Sequence, residues 1–320
     1  MQGIIDYDFG ISALDSLYER PIMAAIHLIV EDGRCAIVDT ASNSAVPRVL
    51  AALQAKGLAL TAVDYVVLTH IHLDHAGGAG LLMSLLPNAR LVVHPRGARH
   101  MRDPAALIEG VNAVYGAENA RRLYGDILPI PGERIFEAPD GGSVPLGNQG
   151  RRLEFIDTPG HAKHHMAIRD TLSGHVFTGD TFGLSYREFD VDGRPSILPT
   201  TSPVQFDPVA AHRSIDAILA CKPGAVYLTH YSQVRDVERL GADMHRLIDA
   251  HAALAEAERG KPADAARHAR IKAGVTALVL AERQRQGWTV SVEKMFEVLA
   301  MDIELNAAGL GCWLDTRARA

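Results

Sequence analysis

The sequence predicts a layered α/β domain followed by a helical extension, and three observations predict it. Short apolar runs of the strand type alternate with segments of helical period as far as residue 230. After Tyr231 those runs stop, and Ala, Leu, Arg and Glu dominate. With 320 residues, 48% hydrophobic and 22% charged, the chain has core material for one large domain or two ordinary ones, which excludes a disordered polymer.

Residues 21–40, PIMAAIHLIVEDGRCAIVDT, place two apolar runs around an Asp-Gly turn, a β-hairpin pattern. A helix follows from Ala45 to Lys56, with Val46, Val49, Leu50 and Leu53 at helical spacing and Gly57 as its stop. Val63 to His70 reads as a buried strand, Leu81 to Leu86 as a short helix closed by Pro87-Asn88, and Ala89 to His94 as another strand. Pro95 to Pro131 is helical in part, with no assignable role. Strands recur at Arg152 to Asp157, His165 to Arg169 and His175 to Thr178. Residues 183–206 hold three prolines and no period, a loop of the length that serves as a lid or binding edge. Asp207-Pro208 starts a helix that runs to Cys221, and Ala225 to Thr229 is one more strand. Gln233 to Arg259, Pro262 to Gln286 and Thr289 to Ala308 are three helices broken at Gly260 and Gly287. The expected division is a catalytic domain over 1–240 and a helical extension over 241–320.

The net charge of −6 supplies no basic field for nucleic acid or acidic lipid, so a small-molecule substrate is expected, with no nucleic-acid or membrane partner. Cys35, Cys221 and Cys312 are odd in number and far apart, which fits a reducing, cytoplasmic compartment better than a disulfide scaffold. The first ten residues carry Asp6 and Asp8 and lack a signal peptide's basic flank and apolar core. The apolar runs are too short to span a bilayer as a helix.

Fifteen histidines against eight tyrosines and eight phenylalanines is the outlying count, and their positions give it meaning. Thr69 to Gly78, THIHLDHAGG, closes a strand. In extended chain His70 and His72 point to one side and can reach one cation. If the chain then turns, Asp74 and His75 face a second position. Gly77 and Gly78 let backbone crowd the site. Three more strand ends offer His161, Asp180 and His230, where ligands converging on one sheet edge would lie.

THIHLDHAGG, TPGHAKHH, FTGDTF and LTH, in this order, resemble the metallo-β-lactamase fold superfamily over about residues 20–232. Their wording is nearest to the glyoxalase II and thioesterase branch, with its THxHxDHxGG, TPGHTxGH and FTGDTLF. The resemblance implies a four-layer αββα sandwich. It implies one metal on His70, His72 and His161, a second on Asp74, His75 and His230, and Asp180 as the bridge. Asp74 and Asp180 are thereby the catalytic carboxylates. The cofactor expected is two divalent metal ions, Zn first, with Fe or Mn also suited to these donors. The resemblance makes His165 structural and suggests that Asp39 supports the histidine loop from behind, although Asp39 could equally cap a turn. Tyr186, Arg187 and Tyr231 stand near the ligands in sequence and are candidates for substrate contact. His164 replaces a family glycine, Phe182-Gly183 replaces Leu-Phe, and no glutathione-binding basic residues can be matched in the C-terminal helices.

Two such metals acidify a shared water, so hydrolysis of a thioester, ester, lactone or amide is expected, a thioester or ester of a small acid first. No GxSxG elbow appears. A ribonuclease Z-like phosphodiesterase shares the ligand pattern, but the acidic balance and the lack of a basic arm count against it. A non-catalytic effector-binding member is the other rival. His72 and the helical tail argue against a flavodiiron role. His27, His94, His100, His175, His212, His245, His251 and His268 are scattered and read as structural. Arg267, Arg270, Lys272, Arg283 and Arg285 read as a solvated helix face. The tail is expected to cap the site, to form a homodimer interface, or both.

Overall fold

The computed structural model describes residues 3–201 and 204–317. Its contacts separate two compact units. The first takes the chain up to Asp157 with His164–Gly179 and Val226–Gln233; the second takes Thr158–Lys163, Asp180–Ala225 and the chain from Val234. The C-terminal helices therefore share a unit with residues 158–163 and 180–225.

The first unit is built on two sheets. Strands β1 (Ile4–Asp6), β2 (Ile11–Asp15), β3 (Ala25–Glu31) and β4 (Arg34–Val38) form an antiparallel meander. It continues in parallel through β5 (Val63–Val67), β6 (Arg90–Val93) and β7 (Ile135–Glu137). Asp32-Gly33 closes the β3–β4 hairpin with φ of 48° and 71°, the positive pair that matches right-handed strand twist. The second sheet holds β8 (Ser143–Pro145), β9 (Arg152–Asp157), β10 (Met166–Asp170), β11 (Val176–Gly179), β12 (Val226–Leu228) and β13 (Ser232–Val234), in the order β13-β12-β11-β10-β9-β8. Here β8 to β11 are antiparallel neighbours, and β11 with β12 is parallel.

Among the described residues, α1 (Val46–Ala55), α2 (Leu73–Ala76), α3 (Ala79–Leu85), α4 (Pro95–Arg102), α5 (Ala105–Tyr115) and α6 (Ala117–Tyr124) belong to this unit. Side-chain alternation explains why the strands read as unbroken apolar runs. Leu28, Ile37, Val66 and Leu91 face Val49 and Leu53 of α1, Leu82 and Met83 of α3, and Met101 of α4. Their neighbours Ile29, Val38, Val67 and Val92 face Phe155, Met166, Ile168, Phe177 and Tyr227 of the other sheet. A strand buried on both faces loses the polar half of its period. Each such Leu, Ile or Phe contributes roughly 1.5–3 kcal/mol of burial. Between the sheets the buried Arg151 guanidinium donates to both carboxylate oxygens of Asp170 at 2.7 and 2.8 Å, and to Glu31 and the Phe9 carbonyl.

The second unit is helical, with α7 (Pro208–Ala220), α8 (Val237–Glu256), α9 (Ala265–Gln286) and α10 (Val292–Arg317). Asp207 caps α7 by accepting from the Val209 and Ala210 amides, as its Asp-Pro start predicts. Residues 183–201 and 204–206 lie outside the long helices, and the first of these stretches is pinned to the helices of its own unit. The Tyr186 hydroxyl reaches Asp302, Trp288 donates to Ser196 at 2.6 Å, and Asn306 accepts from the Thr201 amide at 2.6 Å.

The predicted strands and helices from residue 25 to Gln286 are present within a few residues of their expected ends, and α10 runs on to Arg317. Strands β1, β2, β7, β8 and β13 were not expected; each has only three to five residues. The solvated-face reading fails at Arg267. Its buried side chain pairs with Asp315 at 2.8 Å, because α10 covers that face of α9. Among the described residues no helix is long and apolar enough to cross a membrane.

Candidate metal centre

Parallel pairing of β4, β5 and β6 brings their carboxyl ends to one edge, so Asp39, Thr69-His70 and His94 each follow a strand of the same sheet. Asp39 is the hub. Its Oδ1 accepts from the Thr69 amide at 2.8 Å, and its Oδ2 accepts from Thr69 Oγ1 at 2.9 Å, Thr229 Oγ1 at 2.8 Å and His75 Nδ1 at 2.9 Å. The carboxylate is 1% exposed and His75 is fully buried. An acceptor on Nδ1 fixes the His75 tautomer and presents Nε2 to a ligand.

After β5 the chain runs extended through His72 and then turns. His70 and His72, two apart in extended chain, bring ring nitrogens within 2.9 Å of each other. His72 then occupies the position before the single turn of α2, which carries Asp74 and His75. Asp74 Oδ2 lies 3.5 Å from His75 Nε2 and 3.4 Å from His230 Nε2. His230 follows β12 and donates from Nδ1 to the Met23 carbonyl at 2.9 Å. Asp74, His75 and His230 each offer a ligand atom within 4.8 Å of the others.

Glycines admit this crowding. A Cβ on Gly78 would lie 2.9 Å from the Thr40 and Ser42 carbonyl oxygens. At Gly179, φ is 48° and a Cβ would lie 2.5 Å from His165 Nε2 and 2.7 Å from Thr69 Oγ1. His165 is buried and stacks on His70 with centroids 4.9 Å apart, and His164 meets the His72 ring edge-on.

The second unit assembles its own pair. His161 Nδ1 lies 2.8 Å from Thr200 Oγ1, whose hydroxyl donates to the Asp180 carbonyl, while His161 Nε2 lies 3.5 Å from Asp180 Oδ2. Thr200 was not expected here, because no local pattern links it to a histidine 39 positions earlier.

The donor chemistry fits divalent metal. His75, His230 and His161 each have Nδ1 engaged by an oxygen and Nε2 turned toward a carboxylate at 3.4–3.5 Å. That separation is long for a hydrogen bond and near what two ligands each about 2.0–2.2 Å from one cation span. No thiolate is involved, so the donors suit Zn, Fe or Mn.

The other candidates have different surroundings. Tyr186 is buried with its hydroxyl on Asp302. Arg187 folds back on the Ser185 carbonyl and Asp190. Tyr231 packs with Ala13 and Ala25. His27 is buried on β3 against the edges of Phe177 and Tyr227, and burial pushes its pKa down to about 4. His94 pairs with Asp157 and caps α4, and His251 donates to the Leu247 carbonyl. A cavity of about 570 Å³ in the first unit is lined by Leu73 of α2 and by α5 and α6, including Ile108, Val111, Asn112, Ala120 and Arg121. The sequence left these helices without a role because their composition is that of any amphipathic pair.

Residues 20–230 match the family profile described as the metallo-beta-lactamase superfamily. Among curated proteins, the metallo-beta-lactamase fold-containing protein ST1585 of Sulfurisphaera tokodaii is 29% identical over 181 residues, 53% of this chain and 61% of that protein. A hydroxyacylglutathione hydrolase of Gloeobacter violaceus is 33% identical over 146 residues, 46% of this chain and 43% of the enzyme. The chain thus spans about three fifths of the first relative and under half of the second. Among solved structures, a metallo-beta-lactamase family protein of Thermus thermophilus, TTHA1429, superposes with a TM-score of 0.64 at 20% identity, covering 97% of this chain and 94% of that one. The ST1585 structure superposes with a TM-score of 0.62 at 21% identity, over 94% and 98% of the two chains. At such identities the shared property is the fold.

Proposed function

We propose, for a chain that belongs to the metallo-β-lactamase superfamily, a metal-dependent hydrolase that cleaves a carbonyl-centred bond, in the first place a thioester or ester of a small acid. The observation that carries the reading is the shared state of His75, His230 and His161, each anchored through Nδ1 with Nε2 turned toward a carboxylate. The proposed ligand sets are His70, His72 and His161 for one ion and Asp74, His75 and His230 for the other, with Asp180 between them and Zn, Fe or Mn as the metal.

Two divalent ions bound there would supply Lewis acidity toward a carbonyl oxygen and a water acidified toward neutrality. The chain supplies position. Asp39 holds the His75 ring from behind and ties Thr69 and Thr229 to the same carboxylate, which fixes the loops after β5 and β12 together. Leu73 lies between His72 and Asp74 and also lines the cavity of α5 and α6, which supports that cavity as the seat of an acyl group. Its Ile108, Val111 and Ala120 suit an apolar chain, and Asn112 and Arg121 a polar end. The name of the hydroxyacylglutathione hydrolases supports a thioester first.

The test is the purified, zinc-loaded chain offered acyl thioesters, esters, lactones, β-lactams and phosphodiesters. Thioester or ester turnover that disappears in His72→Ala and Asp180→Asn is the expected result. Phosphodiester turnover with inert thioesters would overturn the substrate class, and turnover indifferent to both substitutions would overturn the metal mechanism.

A further inference from the structure

Two successive helices of the second unit repeat one pattern: His212 and Asp216 on α7, His245 and Asp249 on α8. Spacing of four residues puts each pair on one helix face. Across the packed helices each aspartate reaches the other helix's histidine, with His212 Nε2 3.0 Å from Asp249 Oδ1 and His245 Nε2 3.1 Å from Asp216 Oδ1. The rings lie parallel within 9°, centroids 4.9 Å apart, and their Nδ1 atoms are 2.6 Å apart.

The hydrogen positions follow from the partners. A carboxylate accepts, so each Nε2 carries the hydrogen, and each Nδ1 is left with a lone pair facing the other. Two lone pairs at that distance repel unless a cation lies between them. A shared proton meets the need, and so does a transition-metal ion that favours imidazole.

We propose that His212 and His245 form a divalent transition-metal site joining α7 to α8, with Asp249 and Asp216 orienting the rings. A carboxylate on the far nitrogen is the support that ligating histidines have elsewhere, and here both rings have it. Binding is an exchange: the ion enters, the shared proton leaves to solvent, and nothing is oxidised or reduced. Two imidazole nitrogens each about 2.0–2.1 Å from one zinc lie roughly 3.3 Å apart at the tetrahedral angle, so binding requires the two Nδ1 atoms to part by less than an ångström and the end-to-end rings to turn toward a common apex. The side chains are 27% and 28% exposed, which leaves room for water as the remaining ligands. His212 and Asp249 also line a cavity of about 580 Å³ beside Phe206 and Trp313. Reading the two histidines singly as structural missed this pair; the repeated His-x-x-x-Asp spacing was the available signal.

The experiment measures zinc per chain by mass spectrometry after dialysis against zinc, for the full-length protein and for His212→Gln and His245→Gln. Each variant is expected to hold one zinc fewer, with its melting midpoint in chelator and its hydrolytic rate unchanged. Asp216→Asn and Asp249→Asn are expected to keep the site with affinity lowered about 10–100-fold. With copper(II) as probe, electron paramagnetic resonance is expected to show a two-nitrogen signal absent from both histidine variants. Equal zinc in parent and variants overturns the proposal and leaves a shared proton between the rings. A missing zinc in the variants of a chain that hydrolyses nothing keeps this site and removes the hydrolase reading.

Discussion

Asp39 has four donors on two oxygens, and an amide in its place would turn one acceptor into a donor facing hydroxyl or ring hydrogens. Asp39→Asn is therefore expected to lower zinc affinity about 10–100-fold, with kcat/KM restored in part by excess zinc; metal titration of the variant checks it, and unchanged affinity would refute the role. His27 carries a second residue-scale prediction. Its pKa falls from 6.5 to about 4 because burial disfavours the charged ring, against the opposing pull of Asp39. Above the unfolded value both states leave the ring neutral and the full stability is present. As pH falls from there toward about 4, the unfolded chain gains a proton that the folded chain refuses, and stability is lost by about 3 kcal/mol. Urea unfolding of metal-free protein at neutral and mildly acid pH is expected to show this slope, and His27→Gln is expected to flatten it. The proposed ligand residues were legible as candidates because they cluster after apolar runs in recurring words. Asp39 was legible behind the histidine loop only through the resemblance, and Thr200 and Thr229 were not legible at all, since their partners lie 39 and 190 positions away.

At the scale of the element, α5 and α6 hold the cavity beside Leu73, and under the proposed function their side chains would set what length of acyl group enters. Val111→Trp fills part of that space. Rates on long-chain thioesters are expected to fall about tenfold or more relative to acetyl thioesters, since one methylene's worth of apolar fit is worth roughly 1–3 kcal/mol. Chain-length profiles of kcat/KM measure it, and a parallel fall for all lengths would place the acyl group elsewhere. The same stretch shows where sequence reading stops. β3 to β6 announce themselves because both faces are buried, and α7 to α9 because Asp-Pro, Gly260 and Gly287 punctuate them. β1, β7 and β8 are too short to establish an alternation, and sheet pairing alone gives them their conformation.

Across the whole molecule, the proposed ligands run from His70 to His230, so bound ions would hold together segments far apart in the chain. Chelation is expected to lower the melting midpoint by several degrees and zinc to restore it, because a ligand that binds only the folded state adds about 2.7 kcal/mol at a hundred times its Kd. Scanning calorimetry with and without chelator checks this, and an unmoved midpoint would count against bound metal. The layered α/β class and the helical tail were legible in the sequence; the way residues 158–163 and 180–225 join the C-terminal helices was not, because contacts rather than chain order decide it. The parallel pairing of β11 with β12 carries a further consequence, for descent. Parallel neighbours cannot be joined by a tight turn, so residues 180–225 form an obligatory long crossover. Doubling such a connection costs only about 0.6 kcal/mol of closure entropy. Insertions can therefore accumulate between Asp180 and Ala225 while β11 and β12 keep their register, and lineages built on this scaffold can differ in length there without rebuilding either sheet.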